Sequence, residues 1–521
     1  MENPRSLDRR ALLRAGALGS GAALAGLALP TTTLAAPRRT GPALVRGDRP
    51  RLTHGVQTGD VTPHGALVWT RADRPSRMLV DVSFDPSFRV ARTVRGPVLT
   101  PDTDGTGKVR LHHLPPGRRV HYRVRVADLD GRATAEPVTG SFRTAPLGRR
   151  PVRFVWSGDI VGQGWGINPD LGGMTIFSAM AAREPDFFLC SGDTVYSDGP
   201  LRENVTLPDG RRWRNIVTPE KTKVAETLTE FRGQFAYNLL DEHFRRLAAT
   251  APTIGQWDDH EVLNNWYPGE ILTDDRYTEK RVDVLAERAF QAFHEWVPID
   301  PRKAVDGRVY RNLAFGGHVE LFVVDMRTYR DANSPGTAPY ERILGDKQAR
   351  WLVDAMSRSR ATWKIVAADM PLGLVVPDGD NIEAVANGRP GAPAGREAEL
   401  ARVLRELARR RVRNMVWLTA DVHYTAAHHY SPERAAVADF DPFWEFVSGP
   451  LHAGAFGPNE LDPTFGPEAV FVHAPPAPNT SPLDGFQHFG EVEVDTWGRL
   501  TVHLRDATGR ALWSTTLRPE R

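Results

Sequence analysis

From about residue 150 onward the chain repeats one hydropathy pattern: a short apolar run, then a carboxylate. Val152-Arg153-Phe154-Val155-Trp156 leads to Asp159, and Phe187-Phe188-Leu189-Cys190 leads to Asp193. Ala251-Pro252-Thr253-Ile254 lies ahead of Asp258 and Asp259, Ile365-Val366-Ala367-Ala368 meets Asp369, and Met415-Val416-Trp417-Leu418 precedes Asp421. A further run, Leu321-Phe322-Val323-Val324, ends at Asp325. Apolar runs of this length predict strands buried on both faces. Residues 176–183, 226–247 and 396–411 read as helical, the second with apolar positions recurring at three and four. Strands and helices in alternation predict an α/β domain over residues 150–515 with a largely parallel sheet. An acid at the carboxyl end of such a strand stands where open α/β sheets place their ligands.

Residues 45–147 follow a different pattern and predict an all-β domain. Met78-Leu79-Val80-Asp81-Val82-Ser83-Phe84 alternates at period two, as a half-buried strand does. The Pro-Gly turn of Leu114–Gly117, followed by a strand through Tyr122, resembles the corner of immunoglobulin and fibronectin-III sandwiches. Residues 489–494 and 500–504 predict a closing hairpin. At the other end, Arg9-Arg10 and Arg14 precede a Gly/Ala-rich apolar run from 15 to 29, and small residues follow at Ala35-Ala36. This predicts a signal peptide over 1–36 of the twin-arginine type, with Asp8 where the usual motif has serine. Export machinery is then a partner, and the location is secreted or extracytoplasmic. A Gly-rich run of this length argues against a permanent membrane anchor.

Composition adds little that is specific. The 521 residues have a formal net charge of +2, which implies no strong pull on nucleic acid or membrane. Cys190 is the sole cysteine, so no intramolecular disulfide forms, and it reads as a small core residue.

The chemistry lies in the turns. Gly192 lets the chain bend where the run ends, placing Asp193 and then Tyr196 at a strand end, where a carboxylate and a phenol suit hard cations. Taken alone, that turn reads equally as an ordinary cap. Asp258-Asp259-His260-Glu261 puts three acids and an imidazole in a row between Trp257 and Trp266. Such a row is costly in a plain core and reasonable around a cation, or else at a surface loop. Arg330 is a candidate holder of an anionic oxygen, while Asp325 and Arg327 read as a structural ion pair. Asp421-Val422-His423 offers two more donors at metal-ligand spacing. His428 and His429 read as surface residues.

Together these motifs resemble the calcineurin-like metallophosphoesterases, most closely the PhoD-type alkaline phosphatase family. The marks are Gly192-Asp193 with Tyr196, Trp257-Asp258-Asp259-His260-Glu261 with Asn264-Asn265, Asp325-Met326-Arg327 with Tyr329-Arg330, and Asp421-Val422-His423. The likeness spans nearly the whole chain. It implies an αββα sandwich around two or more metal ions, iron with calcium in this family. Asp193 corresponds to the bridging carboxylate, Tyr196 to the iron phenolate, and Asp259 to an Asn ligand of the wider superfamily. Asp421 and His423 correspond to the paired ligands of the last motif. Where the family carries a cysteine ligand to iron this chain has Gly158-Asp159, Asp159 being the nearest replacement, and this harder set admits manganese or zinc. Asp369 occupies a position often filled by Gln or His in related enzymes.

The resemblance further implies a metal-activated hydroxide attacking the phosphorus of a small phosphate ester. His260 corresponds to the catalytic, phosphate-contacting histidine; Arg330 and substrate-binding Asn264 would stabilise the transition state, and Glu261 or Asp258 would orient His260. The expected activity is that of an alkaline phosphatase D-like phosphoric ester hydrolase. A phosphodiesterase or phospholipase D-like hydrolase uses the same core, and a non-catalytic secreted binding protein is the third reading.

Overall fold

The computed structural model describes residues 49–520 apart from 132, 305 and 306, so the leader expected at 1–36 lies outside the described residues. The amino-terminal region is all β: β1 (Leu52–Thr62), β2 (Gly65–Ala72), β3 (Ser76–Ser83), β4 (Arg92–Leu99), β5 (Thr106–Leu111), β6 (Arg119–Ala127) and β7 (Val138–Arg143). Next come β8 (Val152–Ser157), β9 (Phe187–Ser191), a small hairpin of β10 (Asn204–Thr206) and β11 (Arg212–Arg214), and β12 (Thr253–Gln256). The second half holds β13 (Arg311–Phe315), β14 (Val319–Val323), β15 (Trp363–Ala367), the short pair β16 (Pro377–Asp378) and β17 (Asn381–Ile382), β18 (Met415–Thr419), β19 (Thr425–Tyr430), β20 (Phe443–Val447) and β21 (Pro467–His473). The chain closes with β22 (His488–Val494), β23 (Leu500–Asp506) and β24 (Ala511–Leu517).

Two large sheets result. The nine-stranded one runs β24-β23-β22-β8-β9-β12-β1-β2-β5, and the seven-stranded one β13-β14-β15-β18-β20-β19-β21. Within them β8, β9 and β12 are mutually parallel, as are β14, β15, β18 and β20. Alternation along each strand builds the layers. Phe187 and Leu189 of β9 join Leu321, Val323, Ile365 and Ala367 in one core between the sheets, whereas Phe188 and Cys190 face the helix Val282–Trp296. Val366 and Trp417 turn to the helices Asp346–Arg358 and Glu397–Arg409 on the far side. Helix, sheet, sheet, helix is the expected αββα order, and it explains why these strands lack alternation in sequence: both faces are buried.

Three details depart from the sequence reading. The single helix expected over 226–247 is two, Leu228–Asn238 and Glu242–Thr250, because the Asp241 side chain caps the second by accepting from Phe244 N. The amino-terminal β region is the expected two-sheet sandwich, Val56, Val68 and Leu111 packing on Val80, Tyr122 and Phe142, but it does not stand apart from the rest. Its strands β4-β3-β6-β7 form one sheet, but β1, β2 and β5 extend the nine-stranded sheet, with Gly59 of β1 opposite Thr253 of β12 in parallel. Tyr122 reaches out of the amino-terminal sheets: its hydroxyl donates to Ala249 O at 3.1 Å, pinning β6 to the helix before β12.

That junction contains a closed ion cluster. Arg311 donates from Nε (3.2 Å) and Nη2 (2.9 Å) to Asp60 Oδ1, and Asp300 N donates to Asp60 Oδ2 at 2.8 Å. Asp300 in turn pairs with Arg110, and Arg311 Nη1 donates to Gly255 O of β12 at 3.0 Å.

Candidate metal centre

Five strand ends converge. Asp159 follows β8, Asp193 follows β9, Asp258 and Asp259 follow β12, Asp369 follows β15 and Asp421 follows β18. Three of these strands, β8, β9 and β18, hand over their acid through a left-handed residue. Asp159, Asp193, Asp421 and His423 all have left-handed backbones, with φ of 59°, 47°, 66° and 60°. That conformation is uncommon outside Gly, Asn and Asp, and its concentration at one place marks a functional site. Gly192 is required for the same turn: its φ is 97°, and a Cβ there would sit 2.5 Å from Asp258 Cβ.

The donor atoms fall into three overlapping groups, each within 4.8 Å: Asp159, Asp193 and His423; Asp193, Asp259 and His260; and Asp258, Asp259 and Asp421. Asp193 and Asp259 each belong to two, so both stand where neighbouring groups of donors meet. Tyr196 completes the first group from the side, its hydroxyl 2.8 Å from His423 Nε2. His423 Nδ1 lies 2.5 Å from Gly454 O, which fixes the proton there and leaves the Nε2 lone pair facing the centre.

Charge in this pocket is not balanced by the protein. Both oxygens of Asp159 and of Asp369, one of Asp258 and one of Asp259 are buried without a hydrogen-bond partner. Burial, and then neighbouring carboxylates, push the carboxyls of Asp159, Asp193, Asp369 and Asp421 well above the usual range. Burial and Asp193 raise the Tyr196 phenol likewise. The arginine set among them is Arg327, whose Nε donates to Asp258 Oδ1 at 2.6 Å and lies 3.5 Å from Asp369, with Nη2 3.6 Å from Asp421. Unpaired buried carboxylates around an oxygen-rich hollow, with one imidazole and one phenol, fit two or more hard or borderline cations.

His260 sits at the mouth, its ring stacked on Tyr196 at 4.2 Å. Its Nδ1 is 2.7 Å from Asp198 Oδ1, and its Nε2 is 4.0 Å from Asp259 Oδ1. Burial disfavours the imidazolium, but Asp198 and Asp259 outweigh it and raise the pKa to about 9. Asn264 N holds the second Asp198 oxygen at 3.0 Å, and Lys221 Nζ holds Tyr196 O at 3.0 Å. The Asn264 side chain is exposed at the rim, while Asn265 N donates to Asp259 Oδ2 at 2.6 Å.

Several sequence expectations are corrected here. Neither Glu261 nor Asp258 orients His260: Glu261 accepts from Thr194 N and Asp258 N at 2.7 and 2.8 Å, and Asp258 holds Arg327. Asp325 and Arg327 are not a side-chain ion pair, because Asp325 accepts the Arg327 and Thr328 amides. Arg330 does not reach the opening; it is buried on Glu383 (2.9 Å) and Asn333 (3.1 Å). His428 is buried against Glu445 at 3.0 Å rather than at the surface. Sequence reasoning overlooks Asp198 and Glu383. Asp198 precedes Gly199-Pro200 and so reads as a turn residue, while Glu383 lies in a polar loop with no pattern at all.

The chain matches the description "PhoD-like phosphatase" over residues 154–504 and "PhoD-like phosphatase, N-terminal domain" over 39–146. It is 26% identical over 436 residues to alkaline phosphatase D of Bacillus subtilis (strain 168), spanning 78% of this chain and 70% of that protein. Among solved structures it resembles PhoD with a TM-score of 0.67 at 20% identity, covering 89% of this chain and 88% of that one. It also resembles the purple acid phosphatase PPD1 of yellow lupin (Lupinus luteus) seeds, with a TM-score of 0.57 at 13% identity over 90% and 74% of the two chains. With two-thirds of its length matching the phosphatase domain and most of the remainder matching that family's amino-terminal domain, this chain is a member of the PhoD-like phosphatase family.

Proposed function

We propose that the protein is an exported, metal-dependent phosphoric ester hydrolase with alkaline phosphatase D-like activity. The observation that carries the reading is the gathering of acids at five strand ends, those of Asp159, Asp258, Asp259 and Asp369 with buried oxygens that have no hydrogen-bond partner, beneath one histidine at the mouth. In this reading Asp159, Asp193, Tyr196 and His423 hold one cation, and Asp193, Asp259 and Asp421 hold its neighbours. When bound, such cations supply Lewis acidity and charge neutralisation at a phosphoryl group. The oxygen-rich donor set admits iron, calcium, manganese or zinc.

The chain's own groups supply the remainder. Asp198 fixes the His260 ring with Nε2 toward the pocket and keeps a proton available there for a leaving alkoxide. Stacking on Tyr196 removes the ring's remaining freedom. Asn264, exposed beside it, offers an amide to a phosphate oxygen. Arg327 steadies Asp258, Asp369 and Asp421 without reaching solvent. The paired arginines of the leader and the absence, among the described residues, of a helix long and apolar enough to cross a membrane support export. Elemental analysis of the purified protein, followed by turnover of a small phosphate monoester and a diester, tests the reading. Bound metal with monoester turnover supports it. Faster diester turnover moves it to phosphodiesterase, and a metal-free protein inert on both esters overturns it.

A further inference from the structure

Away from the metal centre, charge is divided unevenly along the chain. Residues 49–150 carry eighteen Lys and Arg against nine Asp and Glu, while residues 151–521 carry 41 against 52. The near-neutral total therefore conceals a basic amino-terminal region joined to an acidic remainder. The excess is concentrated in the four-stranded sheet β4-β3-β6-β7, whose strands contain seven arginines and one acid, Asp81.

Register shows where those arginines lie. Directly paired residues of antiparallel strands share a face. Arg123 is opposite Asp81, Leu79 is opposite both Arg95 and Arg125, Arg119 is opposite Arg143, and Arg77 is opposite Ala127. The intervening residues Met78, Val80, Tyr122, Val124 and Phe142 are buried in the core, so this is the outer face. Asp81 is buried beneath it and held by Arg123 at 2.8 Å and Arg125 at 3.2 Å. Arg143 lies 3.4 Å from Asp186. Arg77, Arg95 and Arg119 form no ion pair among the described residues.

We propose that this face is a docking surface for a linear polyanion bearing a phosphate at each repeat. Outward positions on β6 recur every second residue, about 6.7 Å apart, so Arg119, Arg123 and Arg125 stand along one line, the last two sharing the single acid Asp81 and keeping one net positive charge between them. Guanidinium forks match phosphate oxygens bidentately. Between the arginines stand Thr93, Thr139 and Ser141, with half-buried Leu79 as the apolar residue at the centre. The exposed apolar residues are confined to turns, Phe84 and Val90 between β3 and β4 at one end of the sheet and Leu129 at the other, and lie outside the strands that carry the arginines. Asp186, against Arg143, precedes β9, while Asp193 follows it, so the surface lies about 20 Å from the metal centre and leaves it open. The acidic remainder of the chain repels a polyanion and favours this one landing place.

The test is binding of long-chain inorganic polyphosphate to the full chain, with excess orthophosphate present to block the metal centre. The proposal is thereby separated from the hydrolase reading. With Arg77→Glu, Arg95→Glu and Arg119→Glu combined, affinity should fall at least about tenfold, and the slope of log affinity against log salt should lessen by about two, near 0.7 for each phosphate no longer neutralised. Turnover of a small monoester should stay unchanged. Arg95→Gln alone, at an exposed position without an ion-pair partner, should weaken binding about twofold and guards against misfolding of the triple variant. Unchanged affinity in both variants overturns the proposal. So does binding to phosphatidylglycerol vesicles in place of polyphosphate, which would make the face a membrane contact. Disappearance of self-association in the variants, with polyphosphate affinity unaltered, would instead assign it to a second copy of the chain.

Discussion

Two clusters of buried charge flank β12, and the chain completes only one of them. At the junction with β1, every Asp60 oxygen has a donor, Asp300 has Arg110, and Arg311 also satisfies a strand carbonyl. At the other end of β12, Asp159 and Asp369 have no donor on either oxygen. Burial is equally complete at both places. The difference lies in arginine: in the first cluster Arg110, Arg302 and Arg311 meet two acids, and the second has far more acids than Arg327 can balance. A buried, unpaired carboxylate is expensive enough that it survives only where something else neutralises it. The contrast separates a charge cluster that joins two regions from one that binds.

Substitutions can break this contrast. The largest effect should come from Asp193→Asn, which keeps a residue tolerant of left-handed backbone and removes the shared charge. Activity should fall at least about a thousandfold, the several kcal/mol that a polarising cation supplies, with bound metal lost in parallel. Near-native turnover in that variant would sink the metal assignment. Next, Arg311→Met strands Asp60 in the interior and should cost about 3–5 kcal/mol of stability. Denaturant unfolding measures it, and metal content should remain unchanged; loss of metal there would erase the distinction between the clusters.

Third, chelation should destabilise the protein in a pH-dependent way. The folded-state pKa values of Asp159, Asp193, Asp369 and Asp421 are raised, so above about pH 4 the cation-free fold binds more protons than the unfolded chain. Its stability therefore falls as pH rises, and cations replace the missing protons. Chelator should lower the melting temperature at pH 8 by about 4 °C per cation released, and by less at pH 5. Equal shifts at both values would contradict it. The smallest effect belongs to Asp198→Asn. It should lower kcat about 10- to 100-fold while leaving metal in place. Asp198 helps hold the His260 pKa up to about 9, so the alkaline limb of the rate profile should move toward lower pH in the variant. Bound cations oppose the imidazolium and place the wild-type limb below that value.

The fold was legible because burial on both faces leaves a sequence trace, the unbroken apolar run. The acids were legible because each stands at the end of one. Residues that act across the chain were not. Asp198 reaches His260 over a turn that its own sequence explains fully, and Arg327 reads as a partner for nearby Asp325 when its guanidinium goes to Asp258 and Glu383 instead. Arg330 failed for the same reason: a motif position fixes neighbours in sequence, whereas the side chain's direction is set by packing against a distant loop. The junction cluster left no signal, since Asp60 and Arg311 lie 251 residues apart.

The place of β22 has a consequence for biosynthesis. β8, which carries Asp159, is hydrogen-bonded on one side to β9 and on the other to β22, so that Trp156 faces Gly490. A chain emerging from the ribosome thus keeps one edge of β8 open through most of its synthesis. Open strand edges recruit other chains. Strand β22 acts as a seal, and a variant in which it cannot pair with β8 would aggregate rather than merely lose activity.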